Sequence, residues 1–322
     1  MPQQYETHHA YNDTLLYTQF FNLEQLPFSL TPDPQFFFTH AAAQDALNKL
    51  FFATRSGEGF TKVIGEVGTG KTLLCRTFLH ALGDQYLTAY IPNPYLEPMT
   101  LLLAIADELG IEYAERPNQH TVLKSIVHFL IDTYASSNRV VVLCLDEAHA
   151  MPLPTLEALR LLSNMETPKR KLMQLVLFGQ PELDARLDQS AIRQLKQRIS
   201  FSANLAPLTA TECEDYIQHR LNIAGYRGPR LFSHVALRTL YTGSGGIPRL
   251  LNMLAHKSLI AAYAEGARRV SDKHVTLAIE DTDTLPAHNL KQLRKARFRR
   301  IFSTFSAVTV IATGAALLHS LA

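Results

Sequence analysis

Eight consecutive residues, Gly65-Glu66-Val67-Gly68-Thr69-Gly70-Lys71-Thr72, set glycines, a lysine and a hydroxyl at fixed spacing. Glycines so placed let the backbone wrap tightly and turn its N–H groups toward an anion. The pattern G-x-x-x-x-G-K-[ST] predicts a phosphate-cradling loop, with Lys71 reaching the β- and γ-phosphates of ATP and the Thr72 hydroxyl ligating Mg²⁺. An ordinary glycine turn is the competing reading. Context decides against it, because an apolar run precedes the loop and a helical pattern follows, and a helix N-terminus favours an anion.

A second candidate lies at Val140-Val141-Val142-Leu143-Cys144-Leu145, an unbroken apolar run ending in Asp146 and Glu147. Asp146 is placed to hold Mg²⁺ directly or through water. Glu147 is placed to polarise an attacking water. The alternative is a surface acidic pair after a buried strand. His149 in the same turn either supports these groups or is structural.

Three further residues are candidates. Gln180 follows the apolar run Leu175–Phe178 and is placed to orient water beside the γ-phosphate; otherwise it is a turn residue before Pro181. Arg198 stands just before the run Ile199–Ala203, where an arginine can reach a neighbouring subunit's γ-phosphate and stabilise transition-state charge. Arg193 competes for that role, and either arginine reads equally as a solvated helix residue. Gly245-Gly246-Ile247-Pro248-Arg249 opens a helix, with Pro248 suited to its first turn, and would point Arg249 at the nucleotide unless it is a surface residue.

The elements that must position these groups follow from periodicity. Strands are predicted at Lys62–Gly65, Leu87–Ile91, Val140–Leu145, Leu175–Phe178 and Ile199–Ala203. Helices are predicted over 41–56, 72–83, 98–110, 119–136, 153–166 and 182–197. Strands interleaved with helices imply a parallel sheet in an α/β layered domain. Pro27–Pro34 holds three prolines and excludes regular helix. After Pro207 the strands stop. Thr209 and Glu212 form a capping box for a helix over 210–224. Helices over 232–242, 248–264 and 272–281 follow, the last with Ser271 as its N-cap.

The chain has 322 residues, 47% hydrophobic and 19% charged, the balance of a globular chain with a large core. Cys75, Cys144 and Cys213 are odd in number and widely spaced, which argues against disulfides and zinc and for a reducing compartment. Residues 1–285 carry 25 basic and 29 acidic side chains, so the body is mildly acidic and a broad nucleic-acid footprint is not indicated. The six remaining basic residues lie between Lys291 and Arg300. Residues 301–322 then contain no charged side chain. As a helix they measure about 33 Å, enough to span a bilayer core, with the basic run held on the cytoplasmic side. An interfacial helix is the alternative. No signal peptide opens the chain.

GEVGTGKT, LDEAH, FGQPEL, LKQRI and GGIPRLLN occur in that order, and PFSLTPDPQFFF precedes them. Together they resemble the AAA+ ATPases related to the secretion protein ExeA (GspA), over about residues 20–285. The resemblance implies an αβα P-loop core with a parallel sheet and a small all-helical lid, with ATP bound between them. It also implies a ring-like homo-oligomer and a membrane-bound assembly role. It places Walker A on Gly65–Thr72, Walker B on Asp146 and Glu147, and the sensor-2 motif on Gly246–Arg249, where Ile247 departs from the usual Asn. The segments expected are 1–40 N-terminal, 41–206 core, 207–285 lid, 286–300 basic linker and 301–322 transmembrane helix.

The function expected is ATP hydrolysis by an inner-membrane, single-pass protein with a cytoplasmic ATPase body. It would assist assembly of a type IV pilus or related secretion apparatus, with other membrane components as partners. ExeA continues into a periplasmic peptidoglycan-binding domain where this chain ends, so direct cell-wall binding is not expected. The alternative is a DNA-transaction ATPase like the transposition helper TniB, against which stand the acidic body and the charge-free tail.

Overall fold

A computed structural model describes residues 17–162, 164–166 and 170–283. The chain divides into two compact units. One is Thr31–Pro207. The other joins the described residues 17–30 to 208–283.

The first unit is built on five strands: β1 (Phe60–Ile64), β2 (Tyr86–Ile91), β3 (Val140–Leu145), β4 (Met173–Gly179) and β5 (Ile199–Asn204). They form one parallel sheet in the order β2-β3-β4-β1-β5. One helix, α1 (Ala41–Ser56), precedes β1; parallel strands need crossovers, and α2 (Lys71–Ala81), α3 (Pro98–Glu108), α4 (Gln119–Ser137) and α5 (Leu153–Leu162) supply them, followed by the short α6 (Glu182–Leu187) and α7 (Arg193–Lys196). Every residue of β3 is buried, so its apolar run needs no alternation. Val141, Leu143 and Leu145 face a core made with α3, α4 and α5. Val142 and Cys144 face the opposite core, made with α1 and α2.

Two expected helices are shorter. The pattern over 182–197 breaks into α6, a 3-10 turn at Ser190–Ile192 and α7. Leu183 and Leu187 keep helical spacing, but the next buried residues are Ile192 and Leu195. A continuous helix would carry that second pair off the core face, so extended backbone at Gln189 resets the phase. The helix expected over 153–166 stops at Leu162, because Met165 instead accepts the backbone N–H of Leu172 and Glu166 bridges to Lys171.

The second unit holds α8 (Ala210–Ile223), α9 (His234–Ser244), α10 (Pro248–Ala264) and α11 (Asp272–Glu280). The Thr209–Glu212 capping box is formed in both directions. Residues 17–30 are bound into this unit rather than standing apart. Buried Arg220 donates to the carbonyls of Pro27 and Ser29 and to the Tyr216 hydroxyl. Arg268 lies over the Phe20 ring, 4.0 Å from its centroid. All three cysteines are free and buried, and burial pushes the Cys213 thiol up to about 12. Among the described residues no helix is long and apolar enough to cross a membrane. The expected span over 301–322 and the basic run before it lie outside the described residues.

Candidate active site

The site residues of the first unit stand at the C-terminal ends of β1, β3 and β4, where open parallel sheets place ligands. The Gly65 N–H donates to the Gly179 carbonyl at 3.1 Å, joining the loop to the end of β4. Gly70 caps α2 at φ +98°, a backbone that an L side chain strains, and with it the loop folds back over the helix end.

Lys71 is 5% exposed. Its ammonium donates to the Gly65 and Glu66 carbonyls at 2.8 and 3.0 Å. Burial lowers its pKa, and the carboxylates of Glu147 and Asp146 oppose that shift. A buried ammonium held by backbone carbonyls beside a helix N-terminus fits an incoming phosphate.

Thr72 Oγ1 donates to Asp146 Oδ2 at 2.6 Å. The Glu147 N–H donates to Asp146 Oδ1 at 2.9 Å. Both carboxylate oxygens are therefore fixed, Oδ2 by the loop's Thr72 and Oδ1 by the turn after β3. No cluster of three or more His, Cys, Asp or Glu able to hold a metal occurs among the described residues. Thr72 and Asp146 suit Mg²⁺, which keeps water and phosphate oxygens in its shell.

The geometry adds a residue absent from the sequence reading. The Tyr90 hydroxyl donates to Asp146 Oδ2 at 3.3 Å. Burial first, then the Asp146 charge, hold its phenol well above the ordinary tyrosine range. Only the register of β2 on β3, Tyr90 opposite Cys144, reveals this pairing.

Glu147 takes a left-handed backbone at φ +52° as the chain turns out of β3. Gln180 Nε2 donates to Glu147 Oε2 at 3.3 Å and lies 2.8 Å from His149 Nε2. An amide nitrogen only donates, so His149 accepts there and carries its proton on Nδ1. That Nδ1 stands 3.5 Å from the same Glu147 oxygen. Arg186 holds the turn by donating to the His149 carbonyl at 2.6 Å. His149 is thus part of the constellation.

Lys71, Thr72, Asp146, Glu147 and Gln180 therefore converge, whereas Arg198 of the same unit does not join them. Arg198 precedes β5 at the opposite end of the sheet, about 15–20 Å from the loop by strand length. There its charge adds to the hydrogen bond from Lys171, the main cause, in lowering the Glu166 carboxyl's pKa. Arg193 opens α7. Arg249 is the second residue of α10 in the helical unit.

The family model described as "AAA domain" matches residues 54–187, spanning the loop, β3 and β4. That stretch is less than half of the chain and holds the P-loop, Asp146, Glu147 and Gln180. The chain is similar to the general secretion pathway protein A of Aeromonas hydrophila, 41% identical over 263 residues. That alignment takes in 82% of this chain and 48% of the relative, so the chain spans about half of that protein. Among solved structures, Cdc6p of Pyrobaculum aerophilum superimposes with a TM-score of 0.61 at 18% identity, covering 81% of this chain and 70% of its own. The ORC2 protein of Aeropyrum pernix, solved in ADPNP and ADP complexes, gives a TM-score of 0.56 at 18% identity, covering 81% and 74%. At these identities the likeness is one of fold alone.

Proposed function

We propose that the chain is a membrane-anchored AAA+ ATPase that supports assembly of a type IV pilus or a related secretion apparatus. The observation that carries this is the convergence of the site in a chain 41% identical over 263 residues to a general secretion pathway protein. Within that family the motifs most resemble those of the ATPase MshM, linked to the mannose-sensitive haemagglutinin pilus. Residues 301–322 supply the anchor and residues 291–300 the cytoplasmic flank.

In this reading the loop from Gly65 to Thr72 binds the phosphates and Lys71 neutralises the β- and γ-oxygens. Thr72 and Asp146 would hold Mg²⁺, which would supply charge withdrawal from the phosphate oxygens. Glu147 takes the proton of the attacking water. Gln180 orients that water and the Glu147 carboxylate through the bond it already makes. Arg249 acts from the helical unit on the same nucleotide. Arg198, at the far end of its own sheet, acts on the site of a neighbouring copy, which makes the working form a ring-like oligomer. The likeness to Cdc6p and the ORC2 protein is of fold alone, so no observation favours the DNA-transaction reading over this one.

The test compares ATPase activity of residues 1–285 with that of the full chain in lipid vesicles. Substantially higher activity in vesicles is expected, because the anchor organises the oligomer. Equal activity, with the full chain recovered in the aqueous fraction, refutes the anchored reading.

A further inference from the structure

Two hydroxyls meet on one oxygen of Asp146, a carboxylate that is 2% exposed. Thr72 Oγ1 donates to Oδ2 at 2.6 Å, and the Tyr90 hydroxyl donates to the same atom at 3.3 Å. Among the described residues Oδ1 accepts one bond, from the Glu147 N–H at 2.9 Å. An ionised carboxylate offers about four lone-pair positions, two on each oxygen. Oδ2 is therefore filled, and the position left open is on Oδ1.

Tyr90 is held in place by its strand. β2 is an edge strand, and its register sets Tyr90 opposite Cys144 of β3. The Tyr90 N–H donates to Glu108 Oε1 at the end of α3, at 3.2 Å. The pairing runs on past β3, because the Asp146 N–H donates to the Ile91 carbonyl at 3.0 Å. Asp146 is thus the diagonal neighbour of Tyr90, two residues beyond Cys144 and within reach of a long aromatic side chain. Thr72 keeps its proton for Oδ2 even where its oxygen lone pairs are offered to a cation.

How many oxygens a carboxylate has free matters to a cation. Mg²⁺ demands near-octahedral geometry, keeps several waters and needs little from one carboxylate. Ca²⁺ is larger, gathers about six to eight oxygens and takes carboxylates through one oxygen or both. We propose that Tyr90 is a positioning residue that makes this site prefer Mg²⁺ to Ca²⁺, by keeping Asp146 Oδ2 occupied so that the carboxylate presents a single oxygen. This role presupposes that the P-loop binds ATP together with a divalent cation.

The full chain is titrated with a fluorescent, non-hydrolysable ATP analogue in EDTA, in Mg²⁺ and in Ca²⁺. Selectivity is the dissociation constant in Ca²⁺ divided by that in Mg²⁺. The unmodified chain is expected to bind more tightly in Mg²⁺. Tyr90→Phe keeps the ring and removes the hydroxyl. It is expected to lower the ratio about 10-fold, the scale of one hydrogen bond to a charged group, with affinity in EDTA unchanged. Tyr86→Phe is the control. Tyr86 lies on the same strand against the same core, but its hydroxyl donates to the Thr54 carbonyl at 3.4 Å, so its ratio is expected to match that of the unmodified chain. An unchanged ratio in Tyr90→Phe overturns the proposal, as does an unmodified chain that binds equally well in the two cations. Equal weakening in all three buffers overturns it too, because the hydroxyl then supports the loop and not the choice of metal. An unmodified chain that binds the analogue in none of the buffers removes the P-loop reading itself, and the role of Tyr90 falls with it.

Discussion

Gly246→Ala tests whether the GGIPR motif is first a steric requirement of the helical unit. Gly246 has φ +75°, and a Cβ added there would lie 2.1 Å from the Leu208 carbonyl oxygen and 3.2 Å from its nitrogen. The same two residues are joined by the Leu208 N–H donating to the Gly246 carbonyl at 2.9 Å. Left-handed backbone in alanine costs about 1 kcal/mol. Relief of the overlap needs a shift of about 1 Å at backbone that is itself held, which breaks that bond. A lost bond with stranded polar groups adds about 2–3 kcal/mol. The total is about 3–4 kcal/mol. Gly266 in the same unit is the matched control: its φ is +70° and nothing lies within 4 Å of an added Cβ. Gly266→Ala should therefore cost only about 1 kcal/mol. The assay is urea unfolding by far-ultraviolet circular dichroism, suited to a chain without tryptophan. Equal losses in the two variants, or a Gly246→Ala loss near 1 kcal/mol, refute the steric argument.

Glu147→Gln should lower kcat by about 10²–10⁴-fold with ATP affinity retained, as measured by turnover and nucleotide titration; full activity would remove Glu147 from the role of base. His149→Ala should lower kcat with little change in KM, because it frees the Gln180 amide that holds Glu147 without touching the phosphate loop; an altered ATP affinity would argue against that. Arg198→Ala and Lys71→Ala proteins, each impaired alone, should regain activity on mixing if the arginine acts across subunits, and no recovery at any ratio counts against the trans role. Burial holds the His256 pKa below the ordinary 6.5, while the Tyr17 hydroxyl pairs with its Nδ1 at 3.0 Å. The unfolded chain therefore binds the proton more readily, and the stability from neutral His256 is full above about pH 6.5 and fades as pH falls through the folded value. His256→Gln, which keeps a neutral partner for Tyr17, should flatten the stability profile between pH 7 and 5; an unchanged slope would show that other groups set it.

Much of the site was legible from local order alone. The spacing from Gly65 to Thr72 dictates its own geometry, because glycines and a helix start create a phosphate cradle wherever a strand delivers them. The unbroken apolar run of β3 ending in Asp146 and Glu147 predicted both a buried central strand and two carboxylates at its mouth. The Thr209–Glu212 box was equally local, since its partners are three residues apart. Tertiary structure decided what depends on register and phase. Tyr90 meets Asp146 because β2 pairs with β3 in one register out of several that its sequence allows. His149 becomes a partner of Glu147 and Gln180 only when β3 and β4 lie side by side. The break after Leu187 answers the core face that α6 and α7 share, and residues 17–30 join helices some two hundred positions later through Arg220. Short-range patterns fix the groups that chemistry needs, whereas contacts between distant segments are set by the one packing that buries them all.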